Sequence, residues 1–129
     1  MWIGVDLDGT LAKKLRSFNP HEVGPAIPKM VERVREALRM GHEVRIFTAR
    51  KGSGDFDRKA IDRFSLDNFG RVLPITNKKD ERMGELWDDR AISVTPNTGE
   101  IASLPSALGL GDLYGRSSNG NRKSSRYAP

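Results

Sequence analysis

Two aspartates two residues apart stand near the start of the chain, in the run Asp6-Leu7-Asp8-Gly9-Thr10, directly after the apolar run Trp2–Val5. At the end of a strand, one carboxylate and one backbone carbonyl suit a hard cation, and the second carboxylate remains available to move protons. This layout predicts phosphoryl-transfer chemistry. The alternative is an ordinary strand-to-turn transition, because Asp, Gly and Thr are all common in turns.

A second acidic pair, Asp88 and Asp89, follows the short apolar run Leu86-Trp87. Adjacent carboxylates at a buried strand end repel each other unless a cation lies near them. Together with Asp6 they would complete an oxygen shell for a Mg²⁺ ion that keeps several waters. We expect Asp88 to ligate directly and Asp89 to be the second or water-mediated ligand, an order that the sequence leaves open. The alternative is an acidic turn that Arg90 neutralises.

The elements that must position these residues are read from apolar spacing and from glycines and prolines. Strands alternate with helices along the chain. The predicted elements are a central strand Trp2–Leu7, a helix that Pro25 and Pro28 introduce and that Gly41 ends after Met40, a strand Val44–Phe47, a helix Asp55–Asn68, an edge strand Val72–Ile75, a helical turn Lys78–Arg82, strands Met83–Trp87 and Ala91–Val94, and a turn at Pro96–Gly99. The apolar positions of the first helix are Ile27, Val31, Val34 and Leu38.

Alternating strands and helices predict a parallel sheet with right-handed crossovers, which binds ligands beyond the carboxyl ends of its strands. Asp6, Thr48 and Asp88 all stand at such ends, so we expect them to converge. The predicted fold class is α/β: a single Rossmann-like, three-layer domain with a mostly parallel sheet and no substantial cap domain.

Composition narrows the chemistry and the setting. The 129 residues contain no cysteine, so a metal would be held by oxygen or by His21 and His42, and oxygen ligands favour Mg²⁺. Length predicts one domain, residues 1–111, followed by a tail, residues 112–129. No long apolar run and no basic, apolar leader is present, so we expect a cytoplasmic protein without membrane contact.

The net charge of +5 belongs mostly to the tail, which carries Arg116, Arg122, Lys123 and Arg126 against Asp112. Its Ser, Gly, Asn and Arg residues offer little to pack, so we expect it to be disordered. Two interpretations of the tail stay open. It is a solubilising terminus, or it is an arm that makes weak contacts with nucleic acid.

Four segments in the same order along the chain resemble the motifs of the haloacid dehalogenase-like phosphohydrolases. They are Asp6-Leu7-Asp8-Gly9-Thr10, Phe47-Thr48-Ala49-Arg50, Thr76-Asn77-Lys78-Lys79-Asp80 and Trp87-Asp88-Asp89-Arg90. The resemblance spans roughly residues 2–95. The spacing leaves little room for an inserted cap, so the chain looks like the small, capless, stand-alone phosphatases of bacteria and their phages.

The resemblance implies a role for each carboxylate of the first motif. Asp6 would be the nucleophile that forms an aspartyl-phosphate. Asp8 would protonate the leaving oxygen, later activate water, and place its backbone carbonyl on Mg²⁺. The metal set is then Asp6, Asp8, Asp88 and Asp89.

The resemblance also implies which groups hold the phosphoryl oxygens. The Thr48 hydroxyl and the following N–H, that of Ala49, would do so, with Gly9 beside them. Lys79 is preferred over Lys78 as the cation that offsets the repulsion between carboxylate and phosphate. Arg50 would be a second phosphate contact, or would pair with Asp55 or Asp57.

The function predicted on these grounds is a Mg²⁺-dependent phosphomonoesterase acting through Asp6. Its substrate would be a phosphorylated small molecule or a phosphorylated macromolecule, and a homo-oligomer is left open. Dehalogenation by the same nucleophile is disfavoured by Asp8, because displacement at carbon needs no leaving-group acid. The alternative from another class is a nucleic-acid-associated end phosphatase, or a binding protein, tethered by the basic tail.

Overall fold

The computed structural model describes residues 1–102. Its elements are β1 (Trp2–Asp6), α1 (Pro28–Arg39), β2 (Glu43–Phe47), a 3-10 turn (Ala49–Gly52), α2 (Arg58–Phe69), β3 (Ile75–Thr76) and β4 (Met83–Trp87). Two predicted elements are wrong. Lys78–Arg82 is not helical, because the Asp80 carboxylate accepts from the Arg82 backbone N–H in a local turn. Ala91–Val94 is not a strand, and Val94 makes only an isolated antiparallel bridge to Ile101.

The four strands form one parallel sheet in the order β3-β2-β1-β4. Strand β1 is central, as predicted, and its last residue Asp6 lies opposite Phe47 of β2. Strand β3 lies at an edge, where Pro74 contributes its carbonyl to the Ile46 N–H. This arrangement confirms the predicted fold class, a small Rossmann-like α/β domain, and residues 1–102 include no cap domain.

Both helices lie on the same side of the sheet. They connect β1 to β2 and β2 to β3, and the Arg35 guanidinium on α1 donates to the Asn68 carbonyl on α2 at 2.9 Å. Right-handed crossovers in one direction place successive helices on one face. Alternate residues of β1 and β2, such as Val5 and Ile46, pack with the helices in the hydrophobic core, which also includes Val31, Val34, Ala37, Ile61 and Phe64.

The opposite face of the sheet is crossed by the non-helical connection between β3 and β4. Trp2 points to this side and is only 1% exposed. The Arg45 guanidinium lies 4.3 Å from the Trp2 ring centroid, and the indole N–H donates to Asp80 at 2.8 Å. Within the described residues, the third layer of the predicted fold is therefore formed by this connecting segment and contains no helix.

Helix boundaries follow local capping chemistry. Pro28 opens α1, where a missing N–H costs nothing, and Gly41 follows the helix with φ of +89°. Helix α2 starts three residues later than predicted, because the Asp57 side chain caps it by accepting from the Lys59 N–H at 3.0 Å. Gly70, with φ of +71°, ends it.

The chain divides into two compact units, Met1–Asp88 and Asp89–Pro129. Within the second unit, the described residues form a turn at 96–98, with Asn97 at φ of +65°. The predicted domain boundary between residues 111 and 112, and the predicted tail, lie outside the described residues. No helix within residues 1–102 has the length and apolar character needed to cross a membrane.

Candidate active site

The candidate site begins where β1 ends. Asp6 is the last residue of the strand, and the chain turns tightly behind it, since the Leu7 carbonyl accepts from the N–H groups of Thr10, Leu11 and Ala12 at 2.9–3.3 Å. Gly9 adopts φ of +95°, a conformation that side chains disfavour. The Gly of the Asp-Gly-Thr run is therefore required by the turn that brings Asp6 and Asp8 to the sheet edge.

A hydroxyl from the same turn orients the Asp6 carboxylate. Thr10 is buried, and its Oγ1 donates to Asp6 Oδ2 at 3.2 Å. The neutral Thr10 hydroxyl thus holds one oxygen of the Asp6 carboxylate. Thr10 was not predicted as a site residue, although its position in the Asp-Gly-Thr run was the available signal.

The carboxylates predicted to share a metal are close together. Asp6 and Asp88, which both belong to the first unit, each offer one carboxylate oxygen, and these two oxygens lie within 4.8 Å of each other. Asp89 begins the second unit, and its part in a metal site stays a prediction. Ligand oxygens of an octahedral Mg²⁺ are about 3 Å apart when adjacent and about 4.2 Å apart when opposite, so the carboxylates of Asp6 and Asp88 can share an ion after a side-chain adjustment. Carboxylate oxygens are ligands suited to a hard divalent cation.

Asp8 faces a different partner. Arg50 Nε donates to Asp8 Oδ2 at 2.9 Å, and Arg50 Nη2 lies 2.8 Å from Asp8 Oδ1. The Arg50 side chain is 5% exposed and that of Asp8 28% exposed. This bidentate geometry is the most favourable one for an arginine and a carboxylate. Pairing of Arg50 with Asp55 or Asp57, the alternative left open by the sequence, is thus replaced by pairing with Asp8.

Thr48 lies at the end of β2, beside the end of β1. It is buried, its N–H donates to the Thr76 carbonyl at 2.9 Å, and its Oγ1 accepts from the Arg50 N–H at 3.1 Å. The hydroxyl therefore caps the 3-10 turn that Ala49 opens. Its own proton remains available for donation to an oxygen placed at the sheet edge. The contacts of Thr48 and Ala49 with a phosphoryl group stay predictions.

The segment after β3 carries the predicted cation. The Lys78 N–H donates to Thr76 Oγ1 at 3.1 Å, which holds the backbone turn at the carboxyl end of β3. Both Lys78 and Lys79 are exposed. The turn after β3 packs against the turn after β2. A Cβ added at Gly52 would lie only 3.1 Å from the side-chain amide nitrogen of Asn77. Lys79 as the catalytic lysine stays a prediction.

Residues 13–24, named here the flap, rise from the turn behind β1. The two ends of the flap form its neck, where the Lys13 N–H donates to the Pro25 carbonyl at 2.8 Å. Inside the flap, His21 Nδ1 lies 2.9 Å from Asp57 Oδ2. The hydrogen bond from His21 is the main cause that lowers the pKa of Asp57. His21 is thus bound to the cap of α2, a contact that was not predicted because the two residues are far apart in the chain.

Comparison with known proteins supports the fold alone. No protein-family model and no curated protein matches the chain. A solved structure of a conserved protein from Bacteroides thetaiotaomicron is similar, with a TM-score of 0.53 and 22% sequence identity over 75% of this chain and 82% of that one. At this identity the similarity concerns the parallel-sheet α/β architecture.

Proposed function

We propose that this protein is a Mg²⁺-dependent phosphomonoesterase of the haloacid dehalogenase-like type, working through an aspartyl-phosphate on Asp6. The observation that carries the proposal is the approach of Asp6 to Asp88, which are separated by most of the described chain and yet offer oxygens within 4.8 Å of each other. The four motif segments, taken in their order, add the chemical assignment.

The fit to a metal rests on the donor set. Asp6 and Asp88 present only carboxylate oxygens, which suit Mg²⁺ better than softer ions. Asp89 is proposed as a further ligand on the sequence motif alone. Bound there, Mg²⁺ would offset the negative charge of the nucleophile and of the phosphoryl group. The backbone carbonyl of Asp8 is proposed as a further ligand.

The protein residues carry the two half-reactions. A carboxylate oxygen of Asp6 attacks phosphorus, the ester P–O bond breaks, and Asp8 gives its proton to the departing alkoxide. In the second half-reaction Asp8 takes a proton from water, the water oxygen attacks phosphorus, and the bond from phosphorus to Asp6 breaks. Inorganic phosphate and an alcohol are the products, and both carboxyl groups return to their starting state.

Positioning by neighbouring groups supports these roles. Thr10 orients Asp6 through the 3.2 Å hydrogen bond from its hydroxyl to Asp6 Oδ2. Arg50 holds the Asp8 carboxylate by both oxygens, which positions the form of Asp8 that takes a proton from water in the second half-reaction. Preorganised groups of this kind lower the barrier because they need not rearrange in the transition state.

Hydrolysis of p-nitrophenyl phosphate with Mg²⁺ and with excess EDTA tests the proposal. We expect Mg²⁺-dependent turnover that Asp6→Asn lowers by at least about 10³-fold, whereas Asp67→Asn, an exposed aspartate on α2, serves as the matched control and retains activity. Mass spectrometry of acid-quenched enzyme should find phosphate on the peptide that contains Asp6. Full activity of Asp6→Asn would exclude this mechanism.

A measurement without substrate tests the metal set independently. Mg²⁺ at ten times its Kd stabilises a protein by about 1.4 kcal/mol, which raises the Tm of a domain of this size by roughly 5–10 °C. We expect this increase in the wild type and a much smaller one in Asp88→Asn. An equal increase in both would place the metal elsewhere.

A further inference from the structure

The flap exposes an aromatic ring close to the proposed acid. Phe18 is 57% exposed, and it is the one aromatic residue among the exposed large apolar side chains of residues 1–102, the others being Met1, Met40, Leu66, Val72 and Val94. Leaving a ring of this size in water forgoes a substantial gain in burial free energy. An exposed aromatic residue beside a candidate site therefore calls for a binding role.

Phe18 makes a defined contact with Arg50. The Arg50 guanidinium carbon lies 4.8 Å from the ring centroid, within the range of a cation–π contact. Arg50 is in turn held by both oxygens of Asp8. Arg50 therefore connects the two residues, with Asp8 hydrogen-bonded to the edge of its guanidinium and the Phe18 ring against the guanidinium carbon. Much of the remaining surface of the ring is open to solvent.

The flap backbone around Phe18 is constrained at both ends. Gly24 is buried, and a Cβ at that position would lie 2.1 Å from the Lys13 carbonyl oxygen, so the neck of the flap closes only because residue 24 is glycine. The Pro20 carbonyl lies 3.5 Å from Arg50 Nη1, and His21 contacts Asp57. A ring on such a segment is presented in a limited range of positions, which lowers the entropic cost of binding.

The position of Arg50 between Asp8 and Phe18 favours one kind of substrate. A phosphoester whose ring is bonded directly to the ester oxygen would have its ring at Asp8, because Asp8 must reach that oxygen. Phe18 is separated from Asp8 by the whole guanidinium group. A ring that stacks on the open side of Phe18 is therefore joined to the ester oxygen through a spacer, and a pentose is a group that supplies one.

We propose that Phe18 is a specificity-determining residue that stacks on the base of a nucleoside monophosphate. This inference rests on the proposed function, since it places the phosphate at Asp6 and the leaving oxygen at Asp8. The flap also carries Lys13, Lys14 and Arg16 against Glu22. That excess of positive charge favours the approach of an anionic ligand.

The experiment compares kcat/KM for adenosine 5′-monophosphate with kcat/KM for ribose 5-phosphate, which lacks only the base. Base–aromatic stacking is worth about five- to 150-fold in affinity. We expect Phe18→Leu to lower the ratio of the two constants by about tenfold or more, and Phe18→Tyr to restore it because the ring is retained. Leu66→Ala, which truncates a side chain of similar exposure (52%) on α2, is the matched control and leaves the ratio unchanged.

Equilibrium binding of the same two ligands to Asp6→Asn protein, with and without Phe18→Leu, repeats the comparison without turnover. A wild type that hydrolyses or binds both ligands equally would overturn the inference while leaving the proposed function intact. So would a parallel loss for both ligands in Phe18→Leu, which would show that Phe18 acts through Arg50. Absence of all Mg²⁺-dependent hydrolysis would contradict the proposed function, and the binding ratio would then decide the role of Phe18 by itself.

Discussion

Arg50 and Asp8, which are 42 residues apart in the chain, form a bidentate ion pair with distances of 2.8 and 2.9 Å. The pair joins the turn behind β1 to the 3-10 turn behind β2. It also connects the flap to the site, because the Arg50 guanidinium lies under Phe18. One buried arginine thus fixes the orientation of the proposed acid and supports the ring proposed to hold the leaving group.

Replacing Arg50 by lysine tests the orienting role. Lysine keeps the positive charge but cannot donate from two fixed nitrogens, so we expect the Asp8 carboxylate to lose its defined position. Displacement of a catalytic group by about 1 Å lowers kcat by about 10²-fold, whereas KM for p-nitrophenyl phosphate should change little. Steady-state kinetics of Arg50→Lys measures both constants.

Two further variants make this result interpretable. Arg45→Lys is the control, because Arg45 lies within β2 and its guanidinium lies over the Trp2 ring. This variant should retain kcat. Because Arg50 and Asp8 act as a unit, the double variant Arg50→Lys/Asp8→Asn should be no slower than Asp8→Asn alone. Additive losses in the double variant would contradict an action of Arg50 through Asp8.

The sequence was sufficient for the features that connectivity determines. In a parallel sheet all carboxyl ends meet at one edge, so the approach of Asp6 to Asp88 follows from the order of strands and helices. Apolar spacing placed α1 and β4, and Gly41 and Gly70 marked the ends of both helices. These signals are local, or depend only on chain order, and need no side-chain geometry.

Features that depend on the packing of distant side chains were not predictable. Arg50 had several acidic residues within reach in the sequence, and its partner proved to be Asp8, which no periodicity links to it. The contact of His21 with Asp57 and the seat of Phe18 on Arg50 have the same origin. The missing fifth strand reflects another limit, since a short apolar run such as Ala91–Val94 becomes a strand only when it finds a partner along its whole length.

The choice between Lys78 and Lys79 can be settled by paired alanine variants. If Lys79 provides the cation beside the nucleophile, Lys79→Ala should lower kcat/KM for p-nitrophenyl phosphate by about 10²–10³-fold, the usual cost of losing one stabilising group. Lys78→Ala should have little effect, because Lys78 contributes to the turn after β3 through its backbone N–H. A large loss in Lys78→Ala alone would reverse the assignment, and small losses in both would remove this segment from the site.

Acid stability provides a prediction that is independent of activity. Asp80 accepts from the Trp2 indole N–H at 2.8 Å and from the Arg82 N–H at 2.9 Å. The bond from Trp2 is the main cause that lowers the pKa of Asp80 below its ordinary value of 3.8. Between the folded and the unfolded pKa the unfolded chain binds more protons, so the free energy of unfolding falls as the pH is lowered through this range.

Asp80→Asn isolates the charge, because the amide oxygen can still accept from Trp2. Urea unfolding followed by tryptophan fluorescence should show the wild type more stable than Asp80→Asn by a constant amount from pH 5 to pH 7. This difference should shrink as the pH falls below about 4, where Asp80 becomes protonated in the unfolded and then in the folded state. Asp67→Asn, which removes an exposed aspartate from α2, is the control variant and is measured over the same pH range. A difference that grows on acidification would mean that Asp80 destabilises the folded protein when ionised, contrary to its contacts with Trp2 and Arg82.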